Sequence, residues 1–314
     1  MTDIRMGAGQ DGAGYQERVD LGTEGDHLEP DDDRAASLWS DAWRQLRRKP
    51  VFIVSGVVIV ILVTMAMFPT LFTRADPRAC SLEDSLIRPG SEHWFGTDLQ
   101  GCDYYARTIY GTRISISIGI TVTVFATLVA MIGGSIAGYF GGFGDTLIAR
   151  MTDIWFAIPT ILGGIVILTL FGKRGFPQVT LVLIVLGWPT MLRLVRSAVL
   201  SVREHEYVDA ARALGASNFR IIRRHILPNS LAPVIVYATI TVGVIIAAEA
   251  ALSFLNVGLQ LPSISWGLMI SNAQNRILTA PHLLFFPGLF LSLTVFSFIL
   301  MGDALRDALD PKLR

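Results

Sequence analysis

Charge is what this 314-residue chain has least of. Asp, Glu, Lys and Arg make up 17% of it, where soluble domains carry about 25%. Acids and bases cancel, 26 against 26, so no net field points to a partner of either sign. The basic residues border apolar runs and form no stripe with interleaved aromatics, which argues against nucleic acid as a partner. No GxxxxGK[ST] phosphate loop is present: Phe171-Gly172-Lys173-Arg174-Gly175 has a Gly-Lys pair but neither the upstream glycine nor the following hydroxyl residue. The chain is therefore expected not to hydrolyse ATP and to bind no cofactor itself. Cysteine is nearly absent, at two residues, and the single His and scattered Asp around them lack the spacing of a zinc site.

What fills the chain instead is apolar: 52% of residues are hydrophobic and the mean hydropathy is +0.51. Uncharged runs separate Lys49 from Arg74, Arg113 from Asp145, Asp153 from Lys173, Arg174 from Arg193, Arg224 from Glu249, and Arg276 from Asp303. A helix crosses the hydrocarbon in about 20 residues. One such run could be a buried helix of a soluble protein; six in one chain predict an all-α integral membrane fold with about six spans, occupying 50–314. The third and fourth runs contain Pro159 and Pro189 and are expected to be kinked, since neighbouring helices can satisfy a carbonyl freed by proline.

An even number of spans puts both ends of the chain on one side. The flanks on that side carry sixteen Lys and Arg against eight on the other, so the positive-inside rule places both termini in the cytoplasm. Residues 1–36, Gly- and Asp-rich with Asp31-Asp32-Asp33, bury too little to offset chain entropy and read as a disordered acidic tail. They lack the basic region and apolar core of a cleaved secretion signal. Over 37–49, Trp39, Trp43 and Leu46 recur at helical spacing opposite Arg44, Arg47 and Arg48. That pattern favours an amphipathic helix in the membrane interface over a plain basic flank.

Cys80 and Cys102 both fall in the loop between the first two spans, residues 74–113, on the expected outer face. An oxidising compartment and two thiols in one loop suggest a disulfide; two unrelated small residues are the alternative. On the opposite face, the loop over 200–229 is long and carries its own pattern. Tyr207, Val208, Ala211 and Leu214 predict a first helix over 203–214. Gly215 suits the left-handed turn that ends it, Ser217 suits the cap of a second helix, and Pro228 either stops that helix or begins the fifth span. The small face Ala210-Ala211-Arg212-Ala213 would admit another protein close to the backbone, with Glu204, Glu206 and Asp209 free to pair with its basic groups. The residues alone leave open a second reading, an amphipathic hairpin lying on the membrane.

At this loop the chain resembles the permease subunits of ATP-binding-cassette importers, whose signature is Glu-Ala-Ala, three residues, Gly, nine residues, Ile, one residue, Leu-Pro. Ala210, Ala211, Gly215, Leu227 and Pro228 match in spacing. Asp209 stands for the usual Glu and keeps its charge; His225 stands for the usual Ile, with Ile226 one step later. The segments HWFGTDLQGCDYYARTIYGTRISISIGI and EAALSFLNVGLQLPSISWGLMI are similar to the second, C-type subunit of dipeptide and oligopeptide permeases, with Cys102 in place of that subgroup's Arg. The resemblance covers most of 40–314.

The resemblance implies a type I importer permease in a bacterial plasma membrane. It would pair with a related second permease, two ATPase subunits that use ATP and Mg²⁺, and an external substrate-binding protein. Glu206, Asp209, Ala210, Ala211, Gly215, Leu227 and Pro228 would form the element that couples ATPase motion to the bundle. Peptides are the implied cargo; nickel chelates and other small solutes use similar subunits. Two further sets of charges stand near the spans. Arg150 and Asp153 are three residues apart and are expected to form a structural pair. Glu249 sits in the fifth span, where a carboxylate either contacts what passes through the membrane or bonds to neighbouring donors. A secondary transporter or channel acting without ATPase subunits, or a passive scaffold, is the rival class; the scarcity of deep charges and the two-helix loop argue against both.

Overall fold

The computed structural model describes residues 43–309. The expected acidic tail over 1–36 lies outside that range, as does half of the 37–49 helix. Of the latter a helical turn at 43–46 is seen, with Leu46 buried against Ala304 and Ala308 and Arg47 over the Trp43 ring. Among the described residues all regular structure is helical, apart from two isolated bridges, Cys80 with Cys102 and Thr97 with Asp103.

The helices are α1 (Pro50–Met67), α2 (Tyr104–Phe140), α3 (Gly142–Phe156), α4 (Thr160–Thr169), α5 (Phe176–Arg203), α6 (Glu206–Ala213), α7 (Asn218–Ile221), α8 (Leu227–Phe254), α9 (Trp266–Ala273) and α10 (His282–Leu309). Five stretches are long and apolar enough to cross a bilayer: α1, α2, α5, the continuous run Asn218–Phe254, and α10. A sixth crossing is α3 with α4, broken by 81°. The expected kink there is a full break. Pro159 has no N–H to continue α3 and disfavours helical geometry at Ile158; α4 then restarts with the Gly163 N–H on Pro159 O at 2.8 Å. Pro189, by contrast, lies inside an unbroken α5.

The loop expected over 74–113 is shorter, because α2 begins at Tyr104. Asp103 caps it, accepting the Ala106 N–H at 2.8 Å. Arg107 and Arg113 are therefore helical, and each charge is answered within the protein. Arg107 pairs with buried Asp98. Arg113 donates to the final carbonyls of α1, Ala66 O at 3.0 Å and Met67 O at 3.3 Å. A boundary drawn at the first charge misses paired arginines that snorkel at a helix end.

The core is built where α2 lies along α5 and where α8 lies along α10. Lipid tails are as apolar as leucine, so helices in a bilayer associate by close packing of small residues rather than by escape from water. Ala130, Gly134 and Gly138 recur every fourth residue on α2 and face Leu192, Val195 and Val199 of α5. A Cβ on Gly134 would stand 2.8 Å from Val195 Cβ and 3.0 Å from Arg196 N. Gly134→Val is therefore expected to destabilise the bundle by about 1–3 kcal/mol through overpacking, read as a lower thermal unfolding midpoint of the detergent-solubilised protein, with Gly144→Ala, which meets nothing within 4 Å, unchanged.

Candidate functional site

The chain between α5 and α8 is held by three kinds of contact. Val208 on α6 and Ile221 and Ile226 beyond it are fully buried with Tyr139 of α2 and Val199 and Val202 of α5. Arg203, the last residue of α5, donates to Gly138 O at 3.2 Å and Tyr139 O at 2.9 Å, a cation on the carbonyl end of α2. The Tyr139 hydroxyl donates to Asn218 Oδ1 at 2.8 Å. The segment is thereby fixed to the ends of two spans, at the opposite end of α2 from the loop carrying the cysteines.

Its first helix is shorter than 203–214, because Arg203 still belongs to α5 and His205 precedes the start of α6. The end of α6 follows from Gly215 at φ +79°: the Ala216 N–H reaches Ala211 O and the Gly215 N–H reaches Arg212 O, both at 3.0 Å. This six-to-one, five-to-two pair closes a helix around a left-handed residue. Ser217 Oγ then accepts the Arg220 N–H at the start of α7.

The apolar face differs from the one expected. Val208 is buried and Ala211 half-buried, but Tyr207 and Leu214 point outward, with Leu214 88% exposed. Phe219 joins them at 71%. The outward face thus presents Glu206, Tyr207, Asp209, Ala210, Ala213 and Leu214: small residues at its centre, acids at one edge, large apolar groups at the tip. Asp209 is not a free acid, since Arg212 pairs with it at 2.7 Å one turn along. Leu214, expected on the apolar face, is exposed, and Phe219 is not singled out by the sequence pattern.

Beyond Ser217 the chain does not stop at Pro228. Ile222–Ile226 form a wide π turn, in which the Leu227 N–H bonds to Ile222 O, and the helix runs on to Phe254, 37 residues in all. Pro228 would clash with the fourth carbonyl back in a regular helix and cannot donate to it. The wider turn makes room for the ring, and the Asn229 side chain adds a bond to His225 O at 2.6 Å.

Arg150 and Asp153 lie 3.4 Å apart, both at least half exposed. Asp153 is nearer to Arg193 of α5, at 3.0 Å. A stronger link between α3 and α5 escaped the sequence: Arg196 grips Asp145 through both carboxylate oxygens, Nη2 to Oδ2 at 2.7 Å. It fastens the broken span to the helix that leads into α6.

Glu249 is fully buried five residues before the end of α8. Its Oε1 accepts from Ser253 Oγ at 2.7 Å and from Ser265 Oγ at 3.2 Å. No metal-holding cluster of His, Cys, Asp or Glu occurs among the described residues.

Comparison with known proteins settles the family. Residues 130–314 match the family described as "Binding-protein-dependent transport system inner membrane component", and residues 37–89 match the "N-terminal TM domain of oligopeptide transport permease C". The chain belongs to this inner-membrane-component family. The oligopeptide transport system permease protein OppC of Bacillus subtilis is 40% identical over 90% of this chain and 92% of its own length. The dipeptide transport system permease protein DppC of Alkalihalophilus pseudofirmus is 41% identical over 89% and 92%. The glutathione transport system permease protein GsiD of Escherichia coli O6:K15:H31 is 35% identical over 90% and 93%. A chain of the MetNI methionine ABC transporter, in an inward-facing conformation, shares the fold at a TM-score of 0.54 and 20% identity, over 65% of this chain and 96% of that one. The chain is thus a multi-pass inner-membrane permease component of an ABC importer, not its ATPase.

In this permease Cys80 and Cys102 form a disulfide, which pins the loop after α1 beside the Asp98–Arg107 pair at the start of α2. Closing a loop of this size stabilises by roughly 3 kcal/mol in the chain-entropy model. Thiol titration of the denatured, unreduced protein is expected to find no free thiol, and two after reduction.

Proposed function

We propose that this chain is the C-type permease of an ATP-driven importer of di- and oligopeptides, half of the translocation pathway, and that α6 is its contact with an ATPase subunit. The relatives named for oligopeptide and dipeptide transport at 40% and 41% identity support the cargo. A related second permease would form the other half, two ATPase subunits would dock beneath, and an external binding protein would deliver the peptide. Both termini and α6 lie in the cytoplasm, as the distribution of Lys and Arg favours, and the disulfide lies outside, in the compartment where such bonds persist. The chain binds no nucleotide; ATP and Mg²⁺ belong to the ATPase partners.

The observation that carries this reading is that α6 is exposed on one face and bolted to two spans on the other. Ala210 and Ala213 let a groove approach the helix closely, Glu206 and Asp209 sit at its edge, and Ala211 faces inward to the cluster around Val208. Gly215 makes the turn, and Leu227 and Pro228 lie where the segment becomes the spanning helix. Closure of the ATPases would then move α6 and α8 together and rock the bundle between inward- and outward-facing states.

Ala210→Trp tests the contact. The added ring cannot be accommodated where a partner lies against the backbone; overpacking of about 1–3 kcal/mol weakens ATPase attachment roughly tenfold or more. Co-purified ATPase and ATP-driven peptide uptake in vesicles should fall together, while the folded bundle keeps its thermal midpoint. Normal attachment and uptake in this variant would remove α6 from the coupling role.

A further inference from the structure

Between α8 and α10 the chain turns back on itself and re-enters the bundle as α9, whose Trp266 is fully buried. Two hydrogen-bond chains tie this hairpin to α8, and both start from the same oxygen. Glu249 Oε1 accepts from Ser253 Oγ, which in turn accepts the Leu259 N–H at 3.1 Å. The same Oε1 accepts from Ser265 Oγ, which caps α9 by accepting the Leu268 N–H at 3.2 Å. One carboxylate thus holds the outgoing strand of the hairpin at residue 259 and its return at residue 268. Close packing reinforces the bond: a Cβ on Gly267 would stand 3.1 Å from Ala250 O and 3.1 Å from Ser253 Cβ. The other wall of α9, through Met269, Asn272 and Ala273, lines a cavity of about 190 Å³ with Tyr104, Arg107 and Leu283.

We infer that Glu249 is a positioning residue that locks α9 to α8, so that the cavity wall made by α9 moves with the helix whose other end carries α6. A buried acid on a spanning helix is costly, and Glu249 spends its Oε1 on Ser253 one turn along the same helix, which reaches on to Leu259, and on Ser265 beyond it. The long helix Asn218–Phe254 begins two residues after the turn at Gly215 and its adjoining Ala216. Motion imposed at α6 therefore reaches the hairpin at the far end of the bundle through one rod and one carboxylate. This inference rests on the coupling role proposed for α6, but the lock itself does not depend on what the importer carries.

The test uses the complete importer with its partner permease, ATPases and binding protein, in proteoliposomes, with two measurements. Hydrogen–deuterium exchange of residues 255–273 reads the lock directly: Glu249→Ala should raise exchange at the 259 and 268 amides while α8 stays protected. The ratio of peptide taken up to ATP hydrolysed reads the coupling. It should fall about tenfold in Glu249→Ala with hydrolysis continuing, and Glu249→Gln, which keeps an acceptor for both serines, should restore it to within about twofold. Should Glu249→Ala fail to assemble, Ser265→Ala removes one arm alone and should raise exchange at 268 only, with a smaller fall in the ratio. Unchanged exchange and ratio in the alanine variants, or a Gln variant as impaired as Ala, would overturn the inference. A wild-type complex that imports no peptide on ATP would instead refute the proposed cargo, with the exchange measurement still deciding the lock.

Discussion

From Asn218 to Phe254 the main chain never leaves a helix, and the rest of the account depends on that continuity. In hydrocarbon an unpaired backbone group costs several kcal/mol, so any break in a span needs other groups to answer the freed carbonyls. Pro228 threatens such an interruption. The π turn over Ile222–Ile226 resolves it by widening the track just before the ring. A helix about 55 Å long at 1.5 Å per residue therefore has the α6 turn at one end and the Glu249 lock at the other. A broken helix at Pro228 would leave these as two unrelated local features.

The surroundings of that rod are arranged to hold it firmly without a hydrophobic driving force. The stripe of Ala130, Gly134 and Gly138 lets α2 and α5 touch backbone to side chain. The charges that remain sit where helices end: Arg113 on the last carbonyls of α1, Arg203 on those of α2, Arg196 on Asp145 at the start of α3. The first two satisfy carbonyls that a helix terminus leaves open; the third pairs with a carboxylate. Through Arg203 and Tyr139 the end of α5 and the start of α7, on either side of α6, share one support at the end of α2. The exposed face of α6 is then a projection from an anchored frame, and the proposed interface on it would transmit force to the spans.

Much of this was legible in the sequence because it rests on local rules. Uncharged runs locate the crossings, the Gly215 turn follows from the one residue free to adopt positive φ, and the cysteine pair follows from shared placement in one loop. What was not legible depends on partners far apart in the chain. Arg113 ends an uncharged run and Arg107 lies beyond that end, yet both are inside α2, because Asp98 and the α1 carbonyls answer them. Pro159 and Pro189 are the same residue in similar runs, but one breaks the span and the other does not. The periodicity of Tyr207, Val208, Ala211 and Leu214 marks a helix, but Leu214 falls just past its last residue and is exposed, and the packing with Ile221 and Ile226 takes up Val208. Nothing local to Trp266 or Ser265 announces a re-entrant hairpin; only the buried carboxylate sixteen residues earlier, itself visible in the sequence, hinted that a donor must come to meet it.

The central claim is that Asn218–Phe254 moves as one stiff body. With both native cysteines joined, Phe219→Cys and Phe254→Cys provide two unique labelling sites near its ends, about 52 Å apart at 1.5 Å per residue. Spin-label distances should give a single distribution that shifts by no more than about 2 Å between the nucleotide-free and ATP-bound importer. A second, shorter population on ATP binding would mean that the helix bends at the π turn, and would contradict the account.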